Sequence, residues 1–292
     1  MKQVQVIVAD NAGDPDTQRI CERYAERFPL DYVVETAPGK NAALNTALTY
    51  ARGELLLFTD DDVQIPPDWL WETWSAASRW PAHMVFGGKV LPIWPSPCPA
   101  HLNDRQYLGV CFSVLDADSE EGPSFRFTPF GPNVAIRRQV FDAGVRFNPR
   151  IGPHRSSYIM GSETELVRRL KRQGYAPVYV PRSIVHHKVR PEQFEHRWLY
   201  GRAFRYGRLL EVRRQEEEGR GGWPALRRAP TLISSAVRAG IASVMRERKA
   251  RFDQLMELAM TWGMIYQARQ PSPVLQEMPT PPLYAASNRM RA

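Results

Sequence analysis

Asp60, Asp61 and Asp62 follow one another directly, behind the apolar run Leu55-Leu56-Leu57-Phe58-Thr59 and ahead of the turn residues Val63 to Pro67. Three adjacent carboxylates repel one another unless a cation or a hydroxyl donor uses them, and hard oxygen ligands of this kind suit Mg2+ or Mn2+. A helix-loop-helix calcium site is excluded, because the sixth position from Asp60 is Ile65 instead of Gly and the twelfth is Trp71 instead of Glu. Capping a helix that starts near Pro66 would need one acid and not three. On an extended chain residues 60 and 62 point to one side and residue 61 to the other, which separates their tasks. A second acidic set, Ser162-Glu163-Thr164-Glu165, opens a helix, and Ser162 with Glu165 fits the S-x-x-E capping box. His186 and His187 follow an apolar strand, where alternation turns one inward and the other toward a cleft.

The elements that must position these groups alternate along the chain. Val4 to Ala9 reads as a strand ending in the turn cluster Asp10 to Asp14, and Thr17 to Phe28 as a helix with Ile20, Tyr24 and Phe28 on one face. A strand at Asp31 to Thr36, a helix from Gly39 through Tyr50 and the buried strand at 55 to 59 complete a βαβαβ succession. That succession predicts an α/β fold with a mostly parallel, doubly wound sheet flanked by helices, its ligands held at the carboxyl ends of the strands. A helix from Pro67 to Ser78 and strands at Met84 to Val90 and Pro177 to Val185 extend the pattern, and the Pro-rich stretch Leu91 to Phe130 reads as loops with short strands. Trp69, Trp71 and Trp74 could stack on a sugar, but their spacing suits a helix core better.

Composition is that of a soluble globular protein, with 43% hydrophobic and 24% charged residues in 292. Cys21, Cys98 and Cys111 show no zinc spacing and leave one thiol over, which points to a reducing, cytoplasmic setting. The net charge of +8 is localised: residues 197 to 251 hold fourteen Lys or Arg against five Glu. The apolar stretch Ala229 to Met245 carries Arg238 and four Ser or Thr residues, so it is not expected to span a bilayer.

The motifs "VIVADNAGDPDT" at 6–17, "GKNAALNTAL" at 39–48 and "GELLLFTDDDVQIPPDWL" at 53–70 resemble the nucleotide-sugar-binding half of a family 2 glycosyltransferase of the GT-A fold. "GPNVAIRR" at 131–138, "GSETELVRRLKRQGYAPVYVP" at 161–181 and "VHHKVRPEQ" at 185–193 resemble that family's acceptor-side motifs, in the family's order. The resemblance implies a GT-A-like domain over 1–195, followed by a basic helical extension over 196–270 and a disordered tail over 271–292. Such proteins usually open with a further strand and helix, and this sequence starts on what resembles the second strand. The expectation is therefore a sheet lacking an inner strand and a half-open base pocket.

The resemblance also implies roles. Asp10, Asn11, Lys40, Asn45, Asp60 and Asp61 would bind the nucleotide-diphosphate sugar, although Asp10 fits an Asx turn equally well. Lys40 near a helix amino end suits a diphosphate by charge and dipole. Asp62 and His187 would hold Mg2+ or Mn2+. Gly131, Asn133 and Glu165 would line the acceptor site, and Glu163 would be the base that takes the acceptor's proton as it attacks the anomeric carbon with inversion. The function implied is sugar transfer to a carbohydrate or lipid-linked acceptor in cell-surface polysaccharide assembly. A non-catalytic nucleotide-sugar-binding protein and a sugar-nucleotide nucleotidyltransferase are the alternatives. Residues 196–251, which mix arginines with aromatics, match no nucleic-acid-binding module, and are expected to present arginines to anionic headgroups as a peripheral contact on the inner face of a membrane.

Overall fold

Strand β1 (Val6–Asp10) turns through Asn11 to Asp14 into helix α1 (Pro15–Ala25), which Asp14 caps by accepting from the Asp16 and Thr17 amides, with Pro15 at the first position. Strand β2 (Leu30–Val34), helix α2 (Lys40–Leu48) and strand β3 (Leu55–Phe58) follow. The chain continues through β4 (Val63–Gln64), α3 (Trp69–Arg79), β5 (Val85–Ile93), α4 (Arg105–Phe112), β6 (Gly122–Pro123), β7 (Val134–Arg137), α5 (Arg138–Asp142), α6 (Ser162–Arg172) and β8 (Val178–Lys188). It ends in three long helices, α7 (His196–Glu218), α8 (Pro224–Val244) and α9 (Arg248–Ala268). This computed structural model describes residues 4–117, 119–154, 158–218, 224–245 and 247–273. The tail expected to be disordered lies, from residue 274 on, outside the described residues.

Two compact units divide the chain. One comprises residues 4–90 and 116–185, the other 91–115 and 186–273. The second unit therefore begins earlier than the expected boundary at 195 and also takes in part of the Pro-rich middle. Aromatic packing is the reason: Trp94 and Phe112 meet edge to face at 5.2 Å, and Phe112 stacks on Trp198 of α7 at 6.1 Å.

In the first unit β1 and β2 pair in parallel, Val6 opposite Leu30 and Asp10 opposite Val34. A separate sheet has the order β3-β7-β5-β8-β4, with β6 pairing on β8. No described strand joins β1 to β3, so the described strands form two separate sheets. Parallel pairing holds for β1 and β2. In the larger sheet β7 enters between β3 and β5 and runs antiparallel to both, because it arrives from the short turn Gly131–Asn133 and not from a crossover helix. The core under this sheet joins Val85, Ile136, Phe147, Leu166, Leu170 and Tyr175, with Phe58 packed edge-on against Phe141 and Phe147. Each such side chain contributes about 1.5–3 kcal/mol on burial, and together they fix the end of β3 beside the start of α6.

Two expectations about packing are corrected. Ile20, Tyr24 and Phe28, read as the inward face of α1, are exposed, and Cys21 is the buried residue of that helix. A two-stranded sheet is too narrow to cover a wide helix face. On α3 Trp69 is buried, but Trp71 is 63% exposed and Trp74 is exposed beside it, their rings 5.3 Å apart, so only one of the three belongs to the core.

In the second unit α7 and α9 pack through a core of Leu199, Ala203, Phe252 and Met256. Three arginines of α7, a helix expected to present its arginines to lipid, are spent inside. Arg202 donates to the Val110 carbonyl and lies over Trp198, Arg208 donates to Gln267 and lies over Tyr266, and Arg214 pairs with the buried Glu211. No helix of the described residues is long and apolar enough to cross a membrane.

Candidate active site

Helix α2 brings Lys40 to the end of β3. Gly39 precedes it with φ 120°, a backbone angle that side-chain-bearing residues rarely adopt, and its amide donates to Asn11 Oδ1 at 2.7 Å. From this start Lys40 Nζ reaches Asp60 Oδ1 at 2.5 Å and Glu163 Oε1 at 2.7 Å. Burial works against the lysine charge, but the carboxylates of Glu163 and Asp60 outweigh it and hold the ammonium protonated well above the usual lysine range. The first acid of the triplet and the candidate base are thus joined through one cation.

Glu163 is buried in the first turn of α6, where the helix dipole favours an anion. The turn at Gly131 lies against it so closely that a Cβ on Gly131 would stand 2.5 Å from Glu163 Oε2. Gly131 therefore makes room for the carboxylate. The capping box expected at this helix start is not formed. The N-cap is Gly161, in the left-handed region at φ 95°, Ser162 donates to Asn41 Oδ1, and Glu165 turns forward to Arg169 at 2.6 Å, both fully buried in the core. That internal ion pair replaces the acceptor contact expected of Glu165.

The remaining expected residues divide by what their polar atoms touch. Asp60 is half-buried, Asp61 is exposed and Asp62 is half-buried. Asp61 and Asp62 lie in a turn between β3 and β4 and not on an extended strand, so strand alternation does not sort their roles. Asp10 accepts from the Ala12, Gly13 and Asp14 amides at 2.6, 3.0 and 2.9 Å and from Tyr32 Oη at 2.7 Å. Burial raises its pKa, but these four donors prevail and hold it below the usual carboxylate range, while the Tyr32 phenol is pushed up to about 12. It is the Asx-turn anchor of the two readings. Asn11 donates to the Glu35 and Ala37 carbonyls at 2.9 and 2.7 Å, and Asn45 exchanges two 2.9 Å bonds with the Phe147 backbone. Both hold loops in place, where donor contacts were expected.

Asn133, expected at the acceptor site, is 1% exposed and fully bonded. Its amide donates to the Lys89 and Ser183 carbonyls, both at 2.9 Å, and its oxygen accepts from Trp69 Nε1 at 2.9 Å and Ser183 Oγ at 3.1 Å. It is a structural knot that leaves no atom for an acceptor. His187 is buried on β8 and belongs to the second unit, while His186 is half-buried. Sequence reading passed over Asn41, whose amide donates to the Asn148 and Ile151 carbonyls at 2.7 and 2.8 Å while its oxygen takes the Ser162 bond. It ties the start of α2 to the start of α6 and so sets Lys40 opposite Glu163. A polar residue of poor helix propensity in the second position of a helix was the available signal.

Among the described residues no group of three or more His, Cys, Asp or Glu gathers as an all-protein metal cage. A hard divalent ion needs no such cage, since Mg2+ and Mn2+ take one or two carboxylates and complete their shell with phosphate oxygens and water. Asp62 fits that requirement as a half-buried carboxylate on a turn.

Residues 1–97 match the model of glycosyl transferase family 2. The succinoglycan biosynthesis protein ExoM of Rhizobium meliloti (strain 1021) is 26% identical over 221 residues, which cover 71% of this chain and 65% of that protein. The O-antigen biosynthesis protein RfbC of Myxococcus xanthus is 28% identical over 202 residues, covering 63% of this chain and 15% of that protein. The chain thus spans less than two thirds of the length of either relative. Among solved structures, the mannosyltransferase PcManGT from Pyrobaculum calidifontis, in complex with GDP-Man and Mn2+, superposes with a TM-score of 0.55 at 21% identity over 90% of this chain and 77% of that one. A likeness at that identity is one of fold. Residues 1–97 thus resemble glycosyl transferase family 2, and the chain has an α/β architecture of the GT-A kind.

Proposed function

We propose that this protein transfers a sugar, with inversion, from a nucleotide-diphosphate donor to an acceptor hydroxyl, and that Glu163 is its general base. The observation that carries the reading is Lys40 Nζ held between Asp60 at 2.5 Å and Glu163 at 2.7 Å. A donor bound along the triplet would thereby have its diphosphate within reach of Lys40 and its anomeric carbon near Glu163.

In the reaction the acceptor oxygen attacks the anomeric carbon while Glu163 takes its proton, and the bond from that carbon to the diphosphate oxygen breaks. Lys40 occupies the Glu163 carboxylate, so the lysine passes its hydrogen bond to the incoming diphosphate to free the base. Asp60 and Asp61 orient the ribose and sugar. A divalent Mg2+ or Mn2+ ion held by Asp62 would neutralise the departing diphosphate. The relatives' association with succinoglycan and O-antigen biosynthesis supports a carbohydrate or lipid-linked acceptor in cell-surface polysaccharide assembly. The basic segment 196–251 would provide a peripheral membrane contact.

Calorimetric titration with UDP, GDP and dTDP in the presence of Mn2+ tests the reading, followed by turnover assays with the sugar conjugates of whichever nucleotide binds. Binding with turnover that Glu163→Gln abolishes is the expected result. Binding without turnover of any conjugate would leave a non-catalytic binding protein, and pyrophosphate release from a nucleoside triphosphate and a sugar phosphate would indicate a nucleotidyltransferase.

A further inference from the structure

Helix α8 has its large and small residues on the opposite sides from a packed helix. Its inward face is made of small side chains, Ser235, Ala239 and Ala242, and Ser235 Oγ donates to Glu257 of α9 at 2.6 Å. The bulky apolar residues point outward: Ile233 is 64% exposed, Val237 56%, Ile241 58% and Val244 82%. Pro230, Ala236 and Gly240 fill the intervals between them on the same exposed face. Spacings of three and four residues put these positions on one continuous stripe along the helix. Folding alone selects the reverse arrangement, since β-branched aliphatics in water forgo their transfer free energy. A contiguous exposed stripe of this kind marks a surface that is covered in use.

Charge decides what covers it. From 219 to 246 the sequence has no aspartate or glutamate and five arginines, one of them, Arg228, paired with Glu211, and Arg248, Lys249 and Arg251 follow Glu247. Arg238 is exposed at the border of the stripe. A second copy of the chain would bring two such basic faces together and repel, whereas an anionic bilayer surface offers hydrocarbon for the stripe and phosphate for the arginines. Arg202, Arg208 and Arg214 of α7 are engaged in internal contacts, and it is α8 that carries the exposed apolar stripe suited to the lipid.

We infer that the outward face of α8 is an interfacial lipid-binding surface, lying in the headgroup plane of an anionic membrane with Ile233, Val237, Ile241 and Val244 inserted. This gives an element and a chemistry to the peripheral contact proposed above. It stands apart from the sugar-transfer reading, since no residue of α8 belongs to the candidate active site. Membrane attachment would hold the enzyme in the plane where a lipid-linked acceptor diffuses.

The test is co-sedimentation of the full-length protein with vesicles of phosphatidylcholine alone or with phosphatidylglycerol added. The wild type should pellet with the anionic vesicles and remain largely in solution with the neutral ones. Combining Ile233→Ser, Val237→Ser and Ile241→Ser should weaken partition at least tenfold, with the circular dichroism spectrum unchanged. Hydrogen exchange on the wild type, which needs no variant, should show amides of 230–245 protected by anionic vesicles. Wild-type protein left in the supernatant, undiminished binding of the triple variant or no protection over 230–245 would each overturn the inference. A wild-type dimer that the triple variant dissociates, with no vesicle binding, would identify the stripe as a contact between copies and overturn it as well. Transfer to a water-soluble acceptor, assayed in parallel without vesicles, should be unchanged in the triple variant, so that a failure of this inference is read separately from a failure of the enzymatic one.

Discussion

Asn133 and Glu163 are both buried polar residues beside the Gly131 turn, yet they bond to different kinds of partner. Asn133 spends its whole amide on two backbone carbonyls, an indole and a hydroxyl, all parts of the fold. Glu163 bonds to Lys40, whose other partner is Asp60. Bonding to backbone and uncharged side chains of the fold marks a group whose work is finished when the chain folds, whereas bonding to movable charged side chains marks one that can exchange partners with a ligand. Asp10, Asn11 and Asn45 fall with Asn133 by this criterion, and Lys40 and Asp60 with Glu163.

The contrast is testable from both sides. Glu163→Gln keeps volume and removes the base, so turnover should fall about 10³-fold, or about 4 kcal/mol of barrier; donor binding measured by calorimetry should stay within about threefold. A loss of stability comparable to the loss of turnover would instead put Glu163 in the scaffold group. Asn133→Ala leaves the Trp69 indole N–H and the Lys89 and Ser183 carbonyls without their partner, and should cost about 3 kcal/mol, seen as a thermal midpoint lowered by about 6–12 °C. An Asn133→Ala variant of full stability and lost turnover would return it to the acceptor site. Gly131→Ala places a methyl against Glu163 Oε2 and should lower turnover by about 10²-fold through displacement of the carboxylate, with the fold retained by circular dichroism.

The smallest effect belongs to Asp10, and it depends on pH. Its folded pKa lies below the unfolded value, so its contribution is present above pH ~4 and is lost as pH falls through the folded value. Asp10→Asn should therefore cost about 1 kcal/mol in denaturant titrations at pH 7, and the gap to the wild type should close in acid. A gap independent of pH would show that the carboxylate charge is not what anchors the turn.

Much of the fold was legible in the residues. Apolar runs ending in turn clusters located β1, β2, β3 and β5 to within a few residues, because strand burial leaves a one-dimensional trace. The exposed faces of α1 and α3 were not legible, since periodicity shows that a helix has an apolar face without showing how wide a neighbour lies beneath it. The inverted α8 stripe escaped notice for the same reason: its hydropathy pattern is identical whichever side faces inward.

Of the site, sequence by itself determined the acids at 60–62 and 163–165, the glycines at 39 and 131 and a cation at 40, because the chemistry that a side chain can perform is a property of its type. Which of these groups are committed to structure was decided only by tertiary contacts. Asn41 joins two helix starts separated by more than a hundred residues, and Asn45 meets the Phe147 backbone across a similar interval. A hydrogen bond depends on where two atoms end up in space, and chain folding brings those atoms together in a way that no local pattern records.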